Sequence, residues 1–272
     1  MKKVSLLLVL MIGIFAIGCT ESKTEKVESL KEAYFSLSKK IDKKEDVSID
    51  YVKSLLSKYE YEDGGTAKNE ADSSESQLHI FKNEKEKLTI SEPTSSSENS
   101  MEVVYEVSDE KNNILLSYAS DNNQPVLYTI ISMANDVDLY EKISSIVDIE
   151  DSKILDQYNK IGENFLSDKD IIVDDISKII NIKPTSEDSI DPNTSSEVTY
   201  YSFKDGSEIL GAYCIKGEDK VSRVSYGNND KFLLKNITDA ELLKDSDDIR
   251  VNISTSVDSM EKQEEIINLL FP

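Results

Sequence analysis

One pattern of apolar residues occurs twice in this chain, and the repeat restricts the fold more than any other feature. Residues 28–58 align without a gap onto residues 152–182, a shift of 124 positions. In both segments apolar residues recur at spacings of four, three and four, and a second helical pattern follows, so each segment predicts a pair of helices with one buried face. The matched apolar positions are Leu30, Tyr34, Leu37, Ile41, Val52, Leu55 and Leu56 in the first segment and Ile154, Tyr158, Ile161, Phe165, Ile176, Ile179 and Ile180 in the second.

A second block repeats at a different shift and has the pattern of strands. Residues 102–136 align onto residues 197–231 at a shift of 95, with seven identities over 35 positions. Both copies read as three strands separated by polar turns, which predicts an antiparallel meander. The difference between the shifts leaves 29 extra residues in the first copy. They include polar stretches at 62–76 and 91–100, with an additional hairpin predicted at 77–90.

These two blocks predict an α+β fold made of two tandem repeats, each with two helices packed on an antiparallel β-meander sheet. The first repeat spans residues 24–145 and carries a polar insertion at 62–100. The second spans residues 148–272 and ends in a helix at 258–271. We expect the helices to cover one face of each sheet, with Tyr34 or Tyr158 and Leu55 or Ile179 buried between the layers.

Tandem helix-helix-sheet units over residues 24–231 resemble the β-lactamase-inhibitor-protein fold, which the small outer-membrane-assembly lipoproteins share. A PepSY-like or cystatin-like module fits the same order of elements. The resemblance to the inhibitor-like fold implies a protein that binds other proteins.

The N-terminus resembles the signal peptide of bacterial lipoproteins. Lys2 and Lys3 precede an apolar run from Val4 to Ile17, and the tetrad Ala16 to Cys19 closes it. In that family the cysteine is diacylglycerated and the preceding segment is removed. The resemblance therefore implies a signal peptide at 1–18, lipidation at Cys19, a short tether at 19–23, and a location on the extracytoplasmic face of the cell membrane. The alternative is an uncleaved transmembrane helix, although the run is shorter than the roughly 20 residues that span a bilayer.

The charge balance excludes one class of partner. The chain has 31 Lys and Arg against 53 Asp and Glu, a net charge of −22. Removal of residues 1–18 would make it −24. Nucleic-acid binding needs a surplus of basic residues, so we expect no nucleic-acid partner. An anionic membrane surface would also repel a chain with this net negative charge. We therefore expect the lipid alone to attach the protein to the membrane.

The residues that usually carry catalysis form no recognisable site. His79 is the only histidine, and Cys214 has no partner for a disulfide once Cys19 is lipidated, so we expect a strand histidine and a buried, inert thiol. Acidic pairs are common by chance among 53 carboxylates. The acidic cluster at 186–197 could hold a cation weakly, with a solvated turn as the simpler interpretation. We therefore predict no enzyme activity, no metal site and no cofactor.

Two aromatic residues give a hypothesis for a binding surface. Tyr201 and Phe203 replace Glu106 and Ser108 of the first repeat, and strand alternation places them opposite Tyr200, which we expect in the core. We predict that they are exposed and bind a protein, the alternative being contact with the other repeat or with the C-terminal helix. The expected function is a membrane-anchored, extracytoplasmic lipoprotein that acts as a non-catalytic protein-binding or inhibitor-like module. A structural scaffold of the cell envelope and a carboxylate-dependent cell-wall hydrolase remain as alternatives.

Overall fold

A computed structural model describes residues 27–68, 74–94, 101–121, 124–134, 136–147, 152–167, 169–190, 195–230, 233–238 and 249–272. The predicted signal peptide, Cys19 and the tether at 19–23 lie outside these residues. None of the helices in the described ranges has the length and apolar character needed to span a bilayer.

Twelve strands form one antiparallel sheet. They are β1 (Glu60–Lys68), β2 (Glu75–Lys82), β3 (Glu86–Pro93), β4 (Glu102–Ser108), β5 (Asn112–Asp121), β6 (Gln124–Ala134), β7 (Thr185–Ile190), β8 (Glu197–Asp205), β9 (Glu208–Ile215), β10 (Val221–Asn228), β11 (Leu233–Thr238) and β12 (Ile249–Val257). Their order across the sheet is β1-β2-β3-β4-β5-β6-β12-β11-β10-β9-β8-β7. Strands β1 to β6 thus follow the chain order on one side, and β7 to β12 follow it from the opposite edge.

Six helices in the described ranges accompany the sheet. They are α1 (Leu30–Asp42), α2 (Ile49–Leu55), α3 (Val137–Val147), α4 (Lys153–Leu166), α5 (Val173–Ile180) and α6 (Met260–Leu270). Four begin at a serine whose side-chain oxygen accepts a hydrogen bond from a backbone N–H three residues later, which satisfies a donor that the helix leaves unpaired. These serines are Ser29, Ser48, Ser152 and Ser259.

The helices cover one face of the sheet and leave the other open. Helix α1 packs against β3, β4 and β5, α4 packs against β9, β10 and β11, and α6 packs against β5 and β12. Because side chains alternate along a strand, alternate residues of each strand enter the core between the layers. Tyr34 of α1 and Tyr158 of α4 occupy matching positions in the repeat, and both are fully buried. Each lies near a strand tyrosine, Tyr105 and Tyr226 respectively.

The fold class predicted from the sequence is wrong, because the chain does not form two helix-pair-and-meander units in tandem. Strand β6 of the first half pairs with β12 of the second, from Leu127 opposite Val257 to Ala134 opposite Ile249, so a single sheet runs through both halves. The six helices of the described ranges all accompany this one sheet. Two separate sheets would each leave an unpaired edge at this point, and pairing the two edges removes both. The predicted end of the first repeat at residue 145 falls within α3.

The two outer edges of the sheet were not predicted. Strand β1 lies within the polar insertion, and β7 lies within the acidic stretch that we interpreted as a turn. Both strands are mostly exposed and rich in polar residues, a composition that protects sheet edges from pairing with other chains. The hairpin predicted at 77–90 is confirmed, since β2 and β3 pair antiparallel over this region.

Helix α5 corrects one predicted core position. Ile176 and Ile180 are fully buried, whereas 46% of the surface of Ile179 is exposed. The burial of Ile179 was therefore a wrong prediction, and its side chain belongs to the outer surface of the helix layer.

Candidate binding surface

Tyr201 and Phe203, the predicted binding residues, lie on the helix-covered face of the sheet. Phe203 pairs with Leu210 of β9 and has no exposed surface, and Tyr201 is half-buried and packs against the hydrophobic core. The expected exposure of Phe203 is therefore wrong. Tyr200, which we expected in the core, lies on the open face instead. When the alignment of two strands is wrong by one residue, each aligned residue is assigned to the wrong face of the sheet. Equating Tyr105 with Tyr200 therefore gave the wrong face for the side chains of β8.

Among the side chains that the structure describes, the middle of the open face carries no charged one. We call thirteen outward-facing residues in the middle of β5, β6, β11 and β12 the central face. They are Asn113, Leu115, Ser117, Ala119, Val126, Tyr128, Ile130, Ser132, Leu234, Asn236, Asn252, Ser254 and Ser256. Charged residues make up 31% of the chain, so their absence from this group is a marked local departure.

Three large apolar side chains of the central face are exposed to solvent. The exposed fractions are 38% for Tyr128, 38% for Ile130 and 44% for Leu234. Pairing of β5, β6, β12 and β11 places Leu115, Ile130, Ser254 and Leu234 in one row across the strands. With strands about 4.8 Å apart, this row extends over about 14 Å. Contiguous exposed apolar surface of this kind is typical of interaction sites.

A polar row runs beside the apolar one. It consists of Asn113, Ser132, Asn252 and Asn236, which face one another across the same four strands. The Asn252 side-chain amide donates a hydrogen bond of 3.0 Å to the Ser132 hydroxyl. Side chains of this kind offer both donors and acceptors, so the central face can bind a partner through apolar contacts and hydrogen bonds together.

Charged and aromatic residues border the central face. On one side Lys87 and Glu106 form an ion pair of 2.6 Å. On the other, the rings of Tyr200 and Tyr213 lie 4.7 Å apart, and the guanidinium of Arg223 lies 4.0 Å from the Tyr213 ring centre. A centre without charges inside a polar rim is the usual composition of a protein–protein interface.

His79 links the first three strands. Its Nδ1 atom is 3.1 Å from the Tyr61 hydroxyl on β1, and its Nε2 atom is 3.3 Å from a carboxylate oxygen of Glu92 on β3. The side chain is 8% exposed. These contacts fasten the edge strand β1 to the sheet, as expected for a strand histidine whose two ring nitrogens both have partners.

The other sequence candidates occupy structural positions. Cys214 is buried, and burial together with nearby Asp219 and Glu218 raises the pKa of its thiol to about 11. In the acidic cluster, Asp188 and Glu197 both form ion pairs with Lys216. Asp191 and Asn193 lie outside the described residues. No group of three potential metal ligands occurs in the described part of the chain.

In the part of the chain that the structure describes, two cavities on the helix side are large enough to consider. The larger, about 580 Å³, is bounded by the turn between β2 and β3 together with the ends of α1 and α6. The smaller, about 410 Å³, runs along the outer surface of α1. Glu163 of α4 has a pKa raised by partial burial and by neighbouring Glu141, but it lines neither cavity.

A sequence signal for the central face exists in β6. Residues 126–133 have apolar side chains at both alternating phases, a pattern that predicts burial on both faces of a strand. The structure covers only one of these faces with helices. No family model, curated protein or solved structure matches this chain, so any functional assignment depends on these residues alone.

Proposed function

We propose that the protein is a lipid-anchored, extracytoplasmic lipoprotein that binds a protein partner through the central face and performs no catalysis. The apolar row of half-buried Leu115 with exposed Ile130 and Leu234, next to exposed Tyr128, carries this proposal. Anchoring is supported by the lipobox-like tetrad that ends at Cys19.

The composition of the open face supports a protein ligand in particular. Apolar and aromatic residues occupy its centre, and the charged side chains that the structure describes on this face lie at its sides, as in interfaces that exclude water from their middle. In the described part of the chain, no cluster of metal ligands accompanies this face. The helix-covered face is buried in the core and therefore offers no comparable surface.

The test is a pair of charge insertions at equally exposed isoleucines. Ile130→Lys places a cation in the central face, and Ile179→Lys places one on the outer surface of the helix layer. The two side chains are 38% and 46% exposed, so both variants should fold with melting temperatures close to that of the parent. A photo-crosslinker at Tyr128 in native membranes first captures the partner.

Burying a lysine in an apolar interface should weaken binding at least tenfold, which corresponds to about 1.4 kcal/mol. We expect this loss for Ile130→Lys and for Leu234→Lys, with Ile179→Lys binding like the parent. Equal affinity of all three variants for the captured partner would contradict the assignment of the central face. The assignment would also be contradicted if a crosslinker at position 179 captured the same partner more efficiently than the crosslinker at position 128.

A further inference from the structure

The outward surface of helix α1 is rich in lysine. Its side chains line the 410 Å³ cavity, and we call this surface the lysine face. The lining residues are Lys31, Glu32, Phe35, Ser36, Lys39, Lys40, Lys43, Glu45 and Glu264. Two of the lysines have polar partners: Lys31 donates to the Asn268 side chain at 3.1 Å, and Lys40 pairs with Glu45 at 3.4 Å.

Lys39 and Lys43 are the outermost lysines of this surface. Both are exposed, and neither forms an ion pair with another described residue. They are one helical turn apart, so their ammonium groups point to the same side of α1. This pair can therefore meet an anionic surface without first breaking an internal contact.

Charge is distributed unevenly along the chain. Residues 27–58 contain seven lysines and six acidic residues, a net charge of +1. Residues 59–272 contain 20 basic and 45 acidic residues, a net charge of −25. Near an anionic surface, the bulk of the protein is repelled while α1 is attracted, so the molecule should turn α1 toward that surface.

Helix α1 is also the first described element after the proposed anchor. Ten residues separate Cys19 from Leu30. Even fully extended they reach only about 35 Å, which keeps α1 close to the membrane. Tyr34 and Leu37 pack toward the sheet, so the lysine face points away from it and opposite to the central face.

We propose that the lysine face binds the anionic headgroups of the membrane that carries the lipid anchor, and that this contact presents the central face away from the bilayer. The inference rests on the proposed lipidation of Cys19. It replaces the expectation, based on mean charge alone, that the membrane surface only repels the protein. A lysine close to an anionic membrane strengthens binding about fivefold, and the effect disappears beyond about 10 Å at physiological salt.

The test compares lysine acetylation on two kinds of vesicle. The lipidated full-length mature protein is placed on vesicles of phosphatidylcholine alone or with about a third of phosphatidylglycerol, and vesicle-bound molecules are treated with an acetylating reagent. Mass spectrometry gives the rate at each lysine. Lys39 and Lys43 should react several-fold more slowly on the anionic vesicles, and high salt should remove the difference. Lys204 is exposed on β8, in the same strand phase as Tyr200 and therefore on the open face, so it serves as the internal reference and should react equally on both.

A matched pair of variants separates specific contact from general charge. Lys39→Glu with Lys43→Glu should abolish the protection at the remaining lysines of α1, whereas Lys204→Glu with Lys111→Glu, which changes the net charge equally, should preserve it. Equal acetylation of Lys39 and Lys43 on both vesicles overturns the proposal. Equal protection by inorganic phosphate without vesicles also overturns it, in favour of a site for soluble anions. A protein that fails to remain on neutral vesicles lacks the anchor, and that result refutes the lipidation itself rather than the orientation.

Discussion

Gln263 of α6 joins the C-terminal helix to the first half of the chain, and its substitution should destabilise the whole fold. Its side chain is fully buried. The Tyr34 hydroxyl donates to its Oε1 atom at 2.7 Å, and its amide donates to the Tyr128 carbonyl at 2.9 Å. Gln263→Leu removes the acceptor of the buried Tyr34 hydroxyl, at about 2 kcal/mol, and removes the bond to Tyr128, at about 1 kcal/mol. A protein of this size loses roughly 2–4 °C per kcal/mol, so the melting temperature should fall by about 6–12 °C.

A double-mutant cycle identifies the contact itself. Tyr34→Phe removes the hydroxyl, so in the double variant no donor is left unsatisfied. The combined loss of unfolding free energy should then be smaller than the sum of the single losses by about 1–2 kcal/mol, measured by urea unfolding. Tyr226→Phe provides the control, because its hydroxyl bonds to Glu208 and its effect should add to that of Gln263→Leu. Strict additivity of Tyr34→Phe and Gln263→Leu would show that α6 does not contact α1, and the arrangement described above would be wrong.

Two further predictions concern the cysteines. With a pKa of about 11, only about one Cys214 thiol in 1,000 is a thiolate at pH 8. Alkylation of Cys214 in the native protein should therefore be very slow and should become fast on unfolding. Mass spectrometry can follow this reaction in a chain whose Cys19 is blocked or replaced. Rapid alkylation of the native protein at pH 8 would contradict the buried position of Cys214. Because folding raises the pKa of this thiol, the protonated thiol contributes stability that is lost as the pH rises from about 9 toward 11. Cys19→Ala should release the protein from the membrane or leave it as an unprocessed precursor. If that variant fractionates and migrates like the parent, the lipoprotein interpretation fails.

The helices could be predicted from the sequence because their signals are local. The four-three-four spacing that begins at Leu30 and at Ile154 marks both long helices, and the buried residues Tyr34 and Tyr158 lie on the predicted faces. Each helix presents one apolar stripe, and its neighbours along the chain suffice to show which side is buried.

The arrangement of the sheet could not be predicted in the same way. The pairing of β6 with β12 joins residues more than a hundred positions apart, and nothing in either strand alone specifies the other as its neighbour. Edge strands β1 and β7 have polar sequences because an exposed edge has little apolar surface to bury, and so they resemble turns. The side of the sheet that Phe203 faces depends on a register that a one-residue error reverses.

The single sheet also determines where a binding surface can form. Strands β5 and β6 come from the first half of the chain and β11 and β12 from the second, and the seam between β6 and β12 runs through the central face. Ile130 and Leu234 face the same side, with only Ser254 of β12 between their positions in the row. Two separate units could not hold these residues in a fixed row, whereas hydrogen-bonded neighbouring strands hold them at a spacing of about 4.8 Å. The joining of the two edges therefore accounts both for the failure of the tandem prediction and for a rigid apolar surface that neither half possesses by itself.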